Sequence, residues 1–128
     1  VRKIVETKDA PGAIGPYSQA VKAGPFLFTA GQIALDPADG GLTREGIEAE
    51  ARRVMENLRA VLAEAGMGFG DVVKATLFLC DLGDFAAVNG VYGEYFSEDP
   101  PARSAVQVAS LPKGARVEIE MVAWKEPA

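Results

Sequence analysis

The chain has no histidine and one cysteine in 128 residues. Without imidazole, serine–histidine and cysteine–histidine triads and histidine-ligated metal centres are excluded. One thiol can neither close an intramolecular disulfide nor build a thiolate zinc site, and it suits a reducing compartment. Cys80, near the end of an apolar run, reads as a small core residue rather than a nucleophile. Positive charge is also scarce: 13 Lys and Arg stand against 18 Asp and Glu, for a net charge of −5. The basic residues are scattered, whereas nucleic-acid binding needs them clustered, so no nucleic-acid partner is expected. No run approaches the roughly 20 apolar residues of a membrane span, and no basic-then-apolar leader is present. The expectation is a cytoplasmic protein with no membrane partner. Acid–base chemistry near neutral pH then falls to a carboxylate, a tyrosine, a lysine or the backbone.

What is present suits one soluble domain over residues 1–128, with 48% hydrophobic and 24% charged residues. Residues 2–7 alternate weakly, as an edge strand would. Residues 9–16 hold two Gly and two Pro and read as loop, residues 17–23 as a strand. Residues 26–33 (F-L-F-T-A-G-Q-I) form a nearly continuous apolar run, the mark of a strand buried on both faces. Gly31 inside it signals a bulge or a close approach of another group. Thr43 can cap a helix running to Ala65, with Gly66 at its C′ position. Val54, Met55, Leu58, Val61 and Leu62 give that helix one apolar stripe, and its charged residues, Glu50 included, read as a solvated face. A second buried strand spans residues 72–81, and a second helix spans 85–96, capped by Asp84. Gly90 and Gly93 on that helix suggest an element packed closely against it. Asn89 could cap, pack or reach a ligand.

Residues 100–121 read as two short strands joined at L-P-K-G. Alternation puts Arg103, Ala105 and Gln107 on one face of the first strand. It puts Arg116, Glu118 and Glu120 on one face of the second, with Val117, Ile119 and Met121 on the other. Paired as a hairpin, the strands bring Ala105 opposite Glu118, Arg103 diagonal to it, and Glu120 opposite Arg103 as its ion-pair partner. A cation and a carboxylate would then share one side of a sheet. The pattern as a whole predicts an α+β fold, a two-layer sandwich of about six strands with two helices on one face. The other face stays largely apolar, which predicts burial in a closed symmetric oligomer.

These segments also resemble a known family. The stretches A-P-G-A-I-G-P-Y-S-Q-A (10–20), F-T-A-G-Q-I (28–33), D-V-V-K-A-T-L-F-L-C-D-L (71–82), F-A-A-V-N-G-V-Y (85–92) and P-A-R-S-A-V-Q-V-A-S-L-P-K-G-A-R-V-E-I-E (101–120) are similar to the RidA, or YjgF, family of enamine/imine deaminases. They occur in order and cover essentially the whole chain. The resemblance implies a chorismate-mutase-like homotrimer with clefts between subunits, acting on small 2-imino acids. The reaction it implies is hydrolysis of 2-aminoacrylate (through 2-iminopropanoate) and of 2-iminobutanoate to 2-oxo acids and ammonia, with no cofactor and no metal. By the same resemblance Glu118 is the catalytic residue, orienting and activating a water. Arg103 holds the substrate carboxylate with help from the backbone at Gly31, and Tyr17 lines the cleft from a neighbouring subunit. Ala105 occupies a substrate-binding position where many members have Cys, and Ala30 stands where many have Ser. Two other readings use the same residues: a small-molecule-binding or regulatory trimer without turnover, and a translation inhibitor or ribonuclease. The acidic charge weighs against the second of these.

Overall fold

The computed structural model describes residues 1–127. Six strands form one sheet in the order β1-β2-β3-β6-β4-β5. They are β1 (Arg2–Val5), β2 (Ala20–Ala23), β3 (Phe26–Thr29), β4 (Val72–Leu79), β5 (Ala102–Gln107) and β6 (Val117–Trp124). Helices α1 (Ile47–Glu64) and α2 (Phe85–Tyr95) contribute to the same core as the sheet's inward side chains. The expected six-stranded sheet under two helices is therefore what forms, and its strand pairings are mixed. No helix among the described residues is long and apolar enough to cross a membrane.

The core follows the two periodicities. Helix α1 buries Ala51, Val54, Met55, Leu58, Val61 and Leu62, and central strand β6 buries Val117, Ile119, Met121 and Ala123. Each large aliphatic side chain so buried contributes roughly 1.5–3 kcal/mol. The opposite face keeps Phe28 at 48% exposure, with Phe26, Val106 and Trp124 also exposed. The run over residues 26–33 is thus buried on one face of this chain, not on both.

Several boundaries differ from expectation. Strand β2 begins only at Ala20, because the chain bends at residues 15–17, where the Tyr17 amide donates to the Gly15 carbonyl. Strand β3 ends at Thr29, where a bulge begins. Helix α1 starts at Ile47, since the Thr43 amide is engaged by the Ala34 carbonyl and holds that segment extended. Gly66 does follow α1 in the left-handed region, at φ 74°. Asp84 occupies the N-cap of α2 without a side-chain bond; Asp81 caps the preceding turn instead, accepting from the Gly83 amide at 2.8 Å. Among the described residues nothing beyond the helix's own backbone and the adjacent residues lies within 4 Å of a Cβ built on Gly90 or Gly93, so the expected close-packed element is not found in this chain.

The largest correction concerns β5 and β6, which are not a hairpin. Strand β4 lies between them, antiparallel to β6 and parallel to β5. The parallel pair needs a crossover, which α2 supplies. The return from β5 to β6 passes the end of β4, whose Leu79 carbonyl accepts from the Val108 amide. Phe78 of β4 consequently faces both Val106 of β5 and Glu118 of β6.

Glu50, read as part of the solvated face of α1, is buried, and its carboxylate accepts from Arg116 Nε at 2.6 Å. The carboxylate side chain is 3% exposed and the guanidinium side chain 43%. Removing the cation would strand a buried charge, so Arg116→Ala should lower the stability measured by urea unfolding by about 2–3 kcal/mol, while Arg116→Lys, which keeps the charge, should cost less than about 1.5 kcal/mol.

Candidate active site

A cavity of about 300 Å³ opens beside β6, with Tyr17, Gly31 and Glu118 in its wall. Its remaining lining is largely apolar, including Ile14, Ile33, Leu35 and Pro112. The geometry at its floor comes from an irregularity in the sheet. Strand β3 pairs with β6 at Phe28 and Val122, and the chain returns to β6 where Gln32 bridges Ile119. Between these pairings the β3 side has one residue more than β6, which makes a bulge over residues 29–31. Thr29 repairs the ladder there, its hydroxyl accepting from the Met121 amide at 2.9 Å. Gly31 then lies against the Glu118 side chain: a Cβ on Gly31 would stand 2.7 Å from the carboxylate carbon. Both sequence readings of Gly31 apply, since it belongs to a bulge and is closely approached.

Two buried amides that the sequence reading did not single out hold the cavity walls. Gln19 is 2% exposed; its carbonyl accepts from the Thr7 amide at 2.7 Å, and its NH₂ donates to the Thr7, Ala10 and Pro11 carbonyls. This ties down the loop that carries Tyr17. Asn57 of α1, fully buried, donates to the Leu35 carbonyl at 2.9 Å and the Ile33 carbonyl at 3.3 Å. This fixes the segment after Gly31. A polar residue beside the apolar stripe of α1 was the available signal for Asn57; nothing in the pattern marked Gln19. Lys113, also in the wall, has a left-handed backbone at φ 58° within the L-P-K-G turn.

Glu118 is half-buried. Burial pushes its carboxyl above its ordinary pKa, and the Glu120 charge on the same strand face pushes it the same way. Such a group changes charge closer to neutrality than a free glutamate, which suits proton transfer. The Tyr17 hydroxyl accepts from the Ile14 amide at 3.3 Å and donates to no group among the described residues.

Arg103 and Ala105 are not in this cavity. On β5 they pair with Ala75 and Leu77, whose side chains are buried under the helices, so both belong to the helix face of the sheet. Glu118 pairs with Phe78 on the opposite face. The expected sharing of one sheet side by Arg103 and Glu118 fails, because the hairpin on which it rested does not form. Arg103 makes no ion pair with Glu120; its Nη1 donates to Asn89 Oδ1 on α2 at 2.6 Å. Ala105 is half-buried against the core. Within one chain, therefore, Tyr17 and Gly31 stand with Glu118, and Arg103 stands apart. Tyr17 meets Glu118 within its own chain, without a neighbouring subunit. Among the described residues no cluster of three or more His, Cys, Asp or Glu could hold a metal ion.

This fold and sequence have close relatives. The family model described as Endoribonuclease L-PSP matches residues 7–125. The 2-iminobutanoate/2-iminopropanoate deaminase of Bos taurus is 50% identical over 127 residues, covering 99% of this chain and 93% of that protein. The crystal structure of E. coli TdcF with bound serine superposes with a TM-score of 0.93 at 45% identity, covering 97% of this chain and 99% of that one. The structure of RidA from an Antarctic Psychrobacter gives a TM-score of 0.93 at 47% identity, covering 96% of this chain and 99% of that one. A match that runs from residue 7 to 125, through the bulge, the cavity and strands β2 to β6, leaves one conclusion: the chain belongs to the Endoribonuclease L-PSP family, the RidA/YjgF family.

Proposed function

We propose that the protein hydrolyses small 2-imino acids to 2-oxo acids and ammonia, at sites shared between the subunits of a homotrimer. The observation that carries this reading is Glu118, a half-buried carboxylate of raised pKa set against Gly31 in a cavity with Tyr17. Relatives named 2-iminobutanoate/2-iminopropanoate deaminase, at 47–50% identity, supply the substrate class.

The chemistry asks for little. A protonated imine is already electrophilic, so an oriented water and a base suffice. Glu118 takes a proton from the water as its oxygen bonds to the imine carbon. Glu118 passes that proton to the nitrogen of the tetrahedral adduct; the C–N bond then breaks and ammonia leaves, while the adduct's hydroxyl gives its proton back to the Glu118 carboxylate and becomes the carbonyl of the 2-oxo acid. Arg103 of a second subunit holds the substrate carboxylate with its planar, permanently charged fork. The exposed apolar face with Phe26, Phe28, Val106 and Trp124 supports an assembly that brings such an arginine to this cavity. The ribonuclease activity in the family's description suits this chain less well, since it carries a net charge of −5 with scattered basic residues. A site that binds the same ligands without turnover is distinguished by assay: protein added to a system generating 2-aminoacrylate should accelerate ammonia release.

Glu118→Gln should lower kcat by about 10²–10⁴-fold with ligand binding retained, and wild-type kcat should climb with pH as Glu118 ionises. The stability effect has the opposite direction. A carboxyl whose pKa is higher folded than unfolded binds more protons in the folded state, so its ionisation destabilises the fold as pH rises from the unfolded value through the folded one. Glu118→Gln should accordingly melt higher than wild type at neutral pH, and the advantage should shrink on acidification. An inactive variant with no such gain would remove the burial argument.

Arg103→Lys keeps the charge and loses the fork, and should raise KM for imino acids. The two-chain site has its own test in mixed assemblies. Arg103→Ala and Glu118→Gln chains, each inactive alone, should regain activity when unfolded and refolded together, because about a quarter of the sites would combine the two intact residues. Tyr17→Phe mixed with Glu118→Gln should show no regain beyond the Tyr17→Phe activity itself. Recovery in the second mixture but not the first would show that Tyr17 and Glu118, not Arg103 and Glu118, meet across an interface.

A further inference from the structure

Arg103 is an exposed side chain on edge strand β5, where a long cation ordinarily samples many rotamers. Here it is held. Its guanidinium carbon lies 5.0 Å from the ring centre of Tyr92 and 5.3 Å from that of Phe85, both on α2. These are cation–π distances. Asn89, which accepts from Nη1, lies between the two rings in sequence, so the three form one stripe along the helix at four- and three-residue spacing. The Tyr92 ring is itself immobilised. It is 4% exposed and stands 4.7 Å from the Phe96 ring, which meets Phe69 at 5.4 Å. Its buried hydroxyl has no hydrogen-bond partner among the described residues, so the ring and not the hydroxyl makes the contact with Arg103. Among those residues the guanidinium donates a hydrogen bond only through Nη1. The rest of its five N–H groups are left for a ligand.

We propose that Phe85 and Tyr92 are positioning residues. With Asn89 they bracket the Arg103 guanidinium and preset its fork, so that a 2-imino acid carboxylate meets an arginine already ordered. The inference rests on the reading that Arg103 holds the substrate carboxylate. It predicts a loss of binding rather than of chemistry, because the bracket touches neither the imine carbon nor the water. Asn89, for which the sequence left capping, packing or ligand contact open, and the rings on either side of it thereby become a support for the anion site.

The test uses the full-length protein with ¹⁵N-labelled arginine, the Arg103 side-chain signal being assigned by its loss in Arg103→Lys. Rotation about the Nε–Cζ bond of Arg103 should be slow in the wild type and fast in Phe85→Leu and in Tyr92→Leu. Steady-state kinetics with 2-iminobutanoate should show KM raised about tenfold in both variants with kcat changed by less than about threefold. Tyr92→Phe keeps a ring and should recover the slow rotation that Tyr92→Leu loses. If Tyr92→Leu does not fold, Phe85→Leu, at a half-buried position, decides alone. Unchanged rotation in Phe85→Leu, or a fall in kcat at constant KM, would overturn the proposal. If wild type turns over no imine, the deaminase reading fails, and the NMR signal with titration of 2-oxobutanoate still decides the bracket: weakened binding in Phe85→Leu upholds it, and equal binding sinks it.

Discussion

Strand β6 couples the core to the site through one constraint, the alternation of side chains along a strand. Its neighbours β3 and β4 hold it in the interior of the sheet, and Val117, Ile119, Met121 and Ala123 are locked under the helices. Glu118 and Glu120 have no choice but the opposite face. A slip of one residue would bury two carboxylates and expose the core set, so the register that stabilises the protein also aims Glu118. The raised pKa of Glu118 follows from the same placement, since half-burial and the parallel charge of Glu120 both disfavour its ionised form.

The cavity depends on where regular structure stops. A ladder continued from β3 along residues 30–33 would leave no room beside Glu118. The bulge lets the chain leave the sheet and return at Gln32, and the missing side chain of Gly31 accommodates the carboxylate. Loops of this kind would be mobile if nothing held them. Gln19 and Asn57 spend buried amide groups on main-chain carbonyls of the two wall segments, and their complete burial makes those bonds costly to break.

The sheet divides the chemistry between its faces. The carboxylate is on the open, partly apolar face; the arginine is on the helix face, bracketed by α2. Under the proposed function neither group is useful alone, and a complete site is a property of the assembly rather than of the fold. Residues that look unrelated in one chain, Phe28 on the open sheet and Tyr92 on α2, then serve the same reaction, one through the interface and one through Arg103.

Much of this was legible in the sequence, for definite reasons. The stripe Val54, Met55, Leu58, Val61, Leu62 and the alternation from Val117 to Met121 identify a helix and a strand because burial acts on short, local periods. The absence of histidine restricted acid–base chemistry to other side chains, and the motifs around Tyr17, Gly31, Arg103 and Glu118 pointed to the family. Strand order was not legible. Local patterning says which face of a strand is apolar, not which strand lies beside it, so β5 and β6 looked like a hairpin although β4 separates them. The burial of Glu50 against Arg116, the clamps made by Gln19 and Asn57, and the bracket around Arg103 join residues separated by more than the period of any helix or strand. The sequence by itself determined which residue types are available and how each strand and helix divides into faces. Only the tertiary structure decided that Glu118 and Arg103 lie on opposite sides of the sheet, because that depends on which edges pair across long loops, and pairing is set by the packing of the whole core.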